Sequence, residues 1–442
     1  MNAQLDQRQW FNDIIDSSER KLPGAGLSWL DQARADARQA VDELVMPHRK
    51  LEAWRYSDLG TLYKQPYRDG GTRVLQDSDI EQWVYSSEDS HRLVFANGHF
   101  MAEMSSIHTL PEGVIIGSLS DMLTSDPDMV YRWLTHNTWH QPDVFSELNR
   151  ALISDGAFIH VAENISLDKP VEIVYVNSSQ EHNGLSQPHS VLVMAAGARA
   201  KVIERFTGPS TASYFFNGIT AVSLGANAGL QHYRLQNESV NAHHLGRVSL
   251  RLDGASEYNG INVATGGAWS RTDIRARFGG EHAICNLDGL YTVGEQQYTD
   301  FHLDVIHGLP NCISREDFKG IVYGKGRAVF DGRILVEKNA QKTNAQLSNK
   351  NLLLTQFGEV DTKPQLEIHA NDVKCSHGTT VGKLDPNQLF YLRSRGIDEH
   401  EARKMICLGF AEQVMAHVDD VQVHDFIHDQ IAGIFGRQES LS

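Results

Sequence analysis

The stretch "SVLVMAAGARAKVIERF", residues 190–206, sets two short apolar runs on either side of a glycine. Similar pairs of β-rich runs follow it along the chain. The turns between them contain Gly197, Gly225, Gly254, Gly279 and Gly308, with successive gaps of 28, 29, 25 and 29 residues. A strand–turn–strand unit that recurs at a nearly fixed interval indicates coils of β structure stacked on one another.

The length of the unit distinguishes between the repeat architectures. Propeller blades need roughly 40 residues each, so the shorter unit favours a solenoid over a propeller. A β-sandwich with regularly spaced turns stays open on spacing alone. We therefore predict a mainly β protein whose core of stacked coils covers residues 155–384.

The region before the core, residues 1–154, is predicted to be mainly helical. Apolar residues recur at helical spacing between Trp29 and Leu44. Two short strands around Asn97-Gly98 are typical of a β-hairpin. Asp143 follows Pro142, and we expect it in the first turn of a helix, where its charge suits the helix dipole.

The region after the core, residues 385–442, returns to a helical pattern. Asp385 is a plausible N-cap because Pro386 follows at the first helical position. Asp398 is expected to cap a second helix, with Glu401 as the partner of a capping box. The predicted organisation is therefore helical region, β core and helical region.

Composition excludes several classes of partner. The 442 residues are 41% hydrophobic and 22% charged, with a formal net charge of -16 and no block of Lys or Arg. Nucleic acid is therefore not an expected partner, since phosphate contacts need clustered cations. No apolar run reaches the ~18 residues of a membrane span, and the N-terminus lacks the pattern of a signal peptide. Four dispersed cysteines suit a reducing compartment, so we expect a cytoplasmic protein without a membrane partner.

Common catalytic motifs are missing. "GIVYGKGR", residues 320–327, resembles a phosphate-binding loop only superficially, because its glycine spacing is short and no Ser or Thr follows Lys325. GxSxG and HExxH are absent, which argues against the common hydrolase and metalloprotease types. The chain is not expected to hydrolyse ATP unaided.

The segment "HANDVKCSHG", residues 369–378, carries the candidate site. If it is extended, Cys375 and His377 point to the same side, and a thiolate with an imidazole suits iron or zinc. A cysteine-protease pair is the rival, but no orienting group is evident nearby. The plainest alternative is a buried Cys375 and a His377 that caps a turn before Gly378. Two ligands are too few for a closed metal site, so a metal site would need a second chain.

Three stretches resemble one family. They are "PHRKLEAWRYSDL" at residues 47–59, "AVFDGRILVEKNAQKTNAQLSNKNLLLT" at 328–355 and "DTKPQLEIHANDVKCSHGTTVGKLDPNQLFYLRSRGI" at 361–397. Together they resemble the SufB/SufD family, whose members are subunits of the Suf scaffold that assembles iron–sulfur clusters. The Cys-Ser-His-Gly quartet is closer to the SufD branch. One departure is Asn371, which stands where the family usually has Asp.

The resemblance implies a right-handed parallel β-helix and a non-enzymatic scaffold subunit. It implies pairing with SufB through the end of the β-helix and binding of the ATPase SufC through the C-terminal helices. Cys375 and His377 would then lie at the SufB interface as ligands of iron or of a nascent cluster. No tightly bound cofactor is expected in the isolated chain, and a transient iron–sulfur cluster or iron is expected in the complex. The isolated chain could also form a homodimer.

Two alternative functions belong to different classes of protein. Polysaccharide-active β-helix enzymes are usually exported and need a cluster of catalytic carboxylates or bases, and neither a leader nor such a cluster is evident. A self-associating structural protein without a metal role is the other alternative.

Overall fold

The computed structural model describes residues 2–18, 22–71, 80, 84, 88–136, 142–177 and 183–436. The helices in this part of the chain are α1 (Asn2–Ser18), α2 (Ser28–Glu43), α3 (Gly60–Tyr63), α4 (Leu119–Ser125), α5 (Pro127–His136), α6 (Val144–Ala151), α7 (Pro386–Ser394), α8 (Glu399–Met415) and α9 (Val421–Phe435). None of them is both long enough and apolar enough to cross a bilayer.

The strands divide into an early and a late group. The first eleven are β1 (Tyr67–Asp69), β2 (His91–Ala96), β3 (His99–Phe100), β4 (Ile115–Ser118), β5 (Ala157–Val161), β6 (Val171–Val176), β7 (Asn183–Ser186), β8 (His189–Met194), β9 (Arg199–Thr207), β10 (Tyr214–Leu224) and β11 (Gly229–Glu238). The rest are β12 (His243–Leu252), β13 (Glu257–Gly266), β14 (Trp269–Phe278), β15 (Ile284–Val293), β16 (Tyr298–His307), β17 (Ile313–Val322), β18 (Arg327–Val336), β19 (Asn344–Leu353), β20 (Glu359–Ile368) and β21 (Lys374–Lys383).

Successive long strands alternate between two sheets. The first sheet runs β20-β18-β16-β14-β12-β10-β8-β5-β4, and the second runs β21-β19-β17-β15-β13-β11-β9-β6-β2-β3. Neighbouring long strands are parallel in both sheets, for example β10 with β12 and β19 with β21. Each strand therefore pairs with the strand two further along, which defines a parallel β-helix. The prediction of stacked coils is confirmed, and parallel pairing rules out the antiparallel sandwich.

One corner of each coil explains the glycine spacing. Six successive turns from a first-sheet strand to the next second-sheet strand, from β8–β9 to β18–β19, each contain one residue with positive φ: Gly197, Asn227, Ala255, His282, Asn311 and Lys342. All five glycines of the sequence pattern lie in these same turns, but only Gly197 itself has the left-handed conformation. Gly225 is needed for close stacking instead, because a Cβ there would lie 2.7 Å from the backbone nitrogen of Ala196.

Hydrogen bonds between corners hold the coils in register. The backbone N–H of Asn227 donates to the carbonyl of Gly254 at 2.9 Å, and that of Ala255 donates to Glu281 at 2.8 Å. The left-handed residue thus points its N–H at the corner of the next coil. The backbone N–H of the corner residue therefore has a carbonyl partner, whereas in an isolated surface turn it would bind water.

The N-terminal region is fastened to the outer face of the first sheet. The guanidinium of Arg271 lies 4.1 Å from the ring centre of Trp54 and donates to the carbonyl of Ala53 at 2.6 Å. The Ser57 hydroxyl donates to Asp300 at 2.8 Å. The segment "PHRKLEAWRYSDL" therefore has a structural role, because its side chains attach this region to strands of the β-helix.

Two N-terminal expectations have different outcomes. The hairpin at Asn97-Gly98 is confirmed, since β2 and β3 pair antiparallel across it. The position expected for Asp143 is wrong by one residue. Asp143 is the N-cap of α6 and does not lie in its first turn. Its carboxylate accepts from the backbone N–H groups of Phe145 and Ser146, which a side chain inside the turn could not reach.

The C-terminal helices cover the outer face of the second sheet. Buried side chains of α8 and α9, including Cys407, Val414 and Ile427, pack against outward-facing residues of the strands such as Tyr233 and Leu290. The predicted N-caps are confirmed: Asp385 accepts from the backbone N–H of Asn387 and Asp398 from that of Glu401. In contrast, α7 buries none of its residues.

Replacing Ala255 by glycine should stabilise the protein by about 1 kcal/mol, because glycine removes the left-handed strain at an exposed position without losing packing. Ala226 is the matched control, since it is exposed in the preceding corner and has no positive φ. Ala226→Gly should cost about 0.5–1 kcal/mol through chain entropy alone. The check is the denaturant midpoint of both variants, and equal destabilisation by both would contradict the role of the corner.

Candidate functional site

The candidate site lies on the last coil of the β-helix. Strands β20 and β21 end their sheets, so each has one edge without a neighbouring strand among the described residues. The helices α8 and α9 pack on the side of the β-helix and leave this end open. Side chains that point inward on the last coil are therefore uncovered, including Ile368 and Val381, which are 41% and 46% exposed.

Cys375 and His377 point into this open end. In the pairing of β19 with β21, Cys375 lies beside Ala345 and His377 beside Leu347, both of which are buried in the core. The extended geometry expected for "HANDVKCSHG" is confirmed for residues 374–378, which lie in β21, while residues 369–373 form the preceding turn; the strand puts the thiol and the imidazole on one face. The alternative of a turn capped by His377 is wrong, since strand β21 continues through Gly378.

Cys375 differs from the other cysteines. It is half-buried and packs against the edge of the core, while Cys285, Cys312 and Cys407 are buried. Burial raises the pKa of the Cys375 thiol, so a metal ion must displace a proton to bind there. No group of three or more His, Cys, Asp or Glu side chains in the described part of the chain could hold a metal ion. Cys375 and His377 therefore offer at most two ligands.

Asn371 lies beside the strand and not within it. It is exposed in the turn between β20 and β21, where the next residue, Asp372, forms an ion pair with Lys342. The turn thus keeps a carboxylate one position after the asparagine, but this carboxylate is engaged with the preceding corner.

Glu316 is a residue that the sequence pattern did not single out. It lies on the inward face of β17, in the same column as Leu347 and His377, and so two strands below the histidine. That spacing is about 10 Å. Its side chain is fully buried, and its carboxylate interacts with the hydroxyl of Ser314. In the sequence, Glu316 could have been identified only from the alternation of inward and outward residues along a strand whose register is known.

Burial raises the pKa of the Glu316 carboxyl group. The favourable interaction with the Ser314 hydroxyl does not offset the loss of solvent, and the pKa rises from 4.5 to about 8. When ionised, this carboxylate also raises the pKa of the Cys375 thiol, after the larger effect of burial. The interior beneath the candidate site therefore gains negative charge as the pH rises toward 8.

Comparison with known families agrees with this architecture. A family described as "SUF system FeS cluster assembly, SufBD core domain" matches residues 175–410, and one described as "SufBD protein N-terminal region" matches residues 5–173. Together these two matches cover most of the chain. The chain therefore belongs to the SufBD family of iron–sulfur cluster assembly proteins.

Relatives from three bacteria match over similar lengths. The iron–sulfur cluster assembly protein SufD of Escherichia coli is 34% identical, with 87% of this chain and 89% of the relative covered. An iron–sulfur cluster assembly SufBD family protein of Synechocystis is 29% identical over 90% of this chain and 89% of its own. The SufD protein of Bacillus subtilis is 24% identical over 88% and 90%. The expected family is thus confirmed.

Glu316→Gln should flatten the dependence of stability on pH. The folded chain keeps the Glu316 proton up to a pKa of about 8, whereas the unfolded chain loses it near 4.5, so wild-type stability falls as the pH rises between these values. The slope from this group is about 1.4 kcal/mol per pH unit at most. The measurement is the free energy of unfolding at pH 5, 7 and 9.

Asp317→Asn is the matched control, because Asp317 is the next residue and faces outward beside Lys319. This control should keep the wild-type slope. A Glu316→Gln slope as steep as that of wild type would mean that the carboxyl group is hydrated in the folded protein.

Proposed function

We propose that this chain is a non-enzymatic scaffold subunit of the SufD type, which pairs with SufB and the ATPase SufC. The observation that carries the proposal is the open last coil, where Cys375 and His377 share one face at an unpaired strand edge. Family membership supports it, since relatives are named as assembly proteins. The missing phosphate-binding loop fits a subunit that depends on a separate ATPase. Four free cysteines support a reducing cytoplasm as its location.

The end of the β-helix has the features of a subunit interface. Strand edges with unpaired backbone groups are templates for pairing with another chain. Strand β20 carries Pro364, a residue that sheets confine to edges, whereas β21 has no proline. We infer that β21 is the better pairing strand. SufB is the proposed partner, and a second copy of this chain could use the same edge when SufB is absent.

Such an interface would complete the metal site. A thiolate and an imidazole are ligands suited to iron or to an iron–sulfur cluster, which is the cargo of assembly here. Iron–sulfur clusters bound by cysteines need about four protein ligands, so the partner would supply the rest. A site divided between two chains would release its cluster when the chains separate. This division explains why only two ligands meet on this chain.

Helix α7 is the proposed contact for the ATPase. Phe390 and Tyr391 are 74% and 57% exposed, and the helix buries no residue against its own chain. Exposed aromatic residues are typical anchors of protein interfaces. Because α8 and α9 are packed on the second sheet, removing residues 397–442 would uncover its apolar outer face. Point substitutions in α7 therefore test docking better than truncation does.

The alternatives have less support. A polysaccharide-active enzyme needs catalytic carboxylates or bases grouped on an outer face, and family membership favours cluster assembly over this class. A purely structural protein has no use for a thiol and an imidazole at an open end. Iron and sulfide analysis of the purified complex separates this last reading from the scaffold.

His377→Ala should lower the apparent iron affinity of the complex with SufB and SufC by at least about tenfold, since even outer-shell changes at metal sites cost this much. The melting temperature should not change, because His377 is exposed and its removal leaves no cavity. Cys375→Ser should have a similar effect on iron and a small effect on stability. The measurement is iron and sulfide content together with the melting temperature.

Ser376→Ala is the matched control, because Ser376 lies between the two candidates and points to the opposite face. It should leave the iron content unchanged. Full iron and sulfide content in both His377→Ala and Cys375→Ser would refute the site. Loss of pairing with SufB and of iron together would indicate an interface role without ligation.

The double substitution Phe390→Ser and Tyr391→Ser should weaken recovery of SufC, with each anchor worth roughly tenfold in Kd. Tyr131→Ser is the control, since Tyr131 is a similarly exposed aromatic residue on α5 in the N-terminal region. The assay is co-purification of SufC and SufB, scored separately. Loss of SufB with SufC retained would assign α7 to the interface at the end of the β-helix.

A further inference from the structure

An acidic side chain lies in the interior of the β-helix beneath the candidate iron site. Glu316 points inward from β17, one strand below Leu347 and two strands below His377 in the same column, and it is fully buried. Strand β19 lies between β17 and β21, so the carboxylate is beneath the site and is not one of its ligands. The proposed scaffold function gives this carboxylate no role.

The surroundings of Glu316 offer a hydrogen bond but no positive charge. Its carboxylate interacts with the hydroxyl of Ser314, which faces inward on the same strand, and that hydroxyl lies 2.9 Å from Nε2 of His307. Burial lowers the pKa of His307 to about 3, so its imidazole is neutral at physiological pH. The charged neighbours in sequence, Arg315 and Asp317, lie on the outer face of the strand because strand residues alternate.

The other titratable side chains in this part of the interior supply no cation either. Those that face Glu316 from the neighbouring strands and from the corner before β17 are Cys285, Tyr291, His307, Cys312, Cys375 and His377. The inward residues of β18 and β19 are all uncharged. Thiols and phenols are neutral or negative, so in the described chain positive charge reaches Glu316 only from the open end, at Cys375 and His377.

A cation at the open end would supply the missing charge. A buried carboxylate without a counter-charge ionises with difficulty, which is why burial raises the pKa of Glu316 to about 8. A divalent cation with one thiolate ligand leaves one net positive charge at the end of the column, about 10 Å from this carboxylate. With an effective dielectric constant of about 20, the attraction over that distance strengthens binding roughly tenfold.

We propose that Glu316 is the buried counter-charge of the candidate iron site, whose ionised carboxylate strengthens the binding of a divalent cation at Cys375 and His377. This inference rests on the proposed function and adds a positioned charge to the same site. When the cation binds, it replaces the proton of the Cys375 thiol, and the proton of Glu316 passes to the solvent. Protonation of Glu316 conversely weakens the site and favours release of the cation.

The test is the affinity of the complex with SufB and SufC for Co²⁺, a divalent probe whose absorption reports thiolate ligation. A tenfold gain corresponds to a fall in the pKa of Glu316 from about 8 to about 7 on binding. Glu316→Gln, which has the shape of the protonated form, should therefore bind Co²⁺ about eightfold more weakly than wild type at pH 8.5, and less than about twofold more weakly at pH 6.5. His377→Ala supplies the background from other sites. Equal affinities of Glu316→Gln and wild type at pH 8.5 would overturn the inference.

Two further variants separate the effect of charge from a change in packing. Asp317→Asn removes the outward carboxylate beside Lys319 and should bind Co²⁺ as wild type at both pH values. Ser314→Ala removes the hydroxyl that favours the ionised carboxylate, so the gain in Co²⁺ affinity should begin at a higher pH than in wild type. This variant decides the matter if Glu316→Gln does not fold, and an unshifted pH profile would overturn the inference. Co²⁺ binding that His377→Ala leaves unaltered would overturn the proposed metal site itself.

Discussion

Hydrogen bonds from left-handed corner residues to the corner of the next coil hold the register of the β-helix. At this corner the chain turns from the first sheet to the second, and the N–H of Asn227 or Ala255 is directed along the stack to the next carbonyl. Parallel strands cannot be joined by a tight hairpin, so the register depends on how each corner packs against the next. Constant register then produces the inward columns that fill the interior.

Those columns connect the corner geometry to the candidate site. One column passes through Cys285, Ser314, Ala345 and Cys375 on successive second-sheet strands, and a parallel one ends at His377. Inside the stack such positions hold core residues, because the next coil covers them. On the last coil nothing in the described chain covers them. The same inward position is therefore structural along the helix and available for a ligand at its end.

The flanking regions leave that end open. The N-terminal region lies on the first sheet through the contact of Trp54 with Arg271, and α8 and α9 cover the second sheet. Both cover the sides of the coils, and β2 and β4 of the N-terminal region extend the two sheets at the opposite end. This arrangement buries the outer faces of the strands, leaves the edge of β21 unpaired among the described residues and leaves the aromatic residues of α7 exposed. Both are suited to contacts with other subunits.

The amino-acid sequence by itself determined the repeat, the helical flanks, the caps at Asp385 and Asp398, and the shared face of Cys375 and His377. These features are local, because turn spacing, capping and strand alternation depend on residues close together in the chain. Only the tertiary structure decided that Ala255, His282 and Lys342 adopt the left-handed conformation, since stacking, and not their own preference, imposes it. It alone decided that Glu316 is buried in the column beneath His377. Such placements join residues distant in sequence, and no local pattern encodes which of them meet.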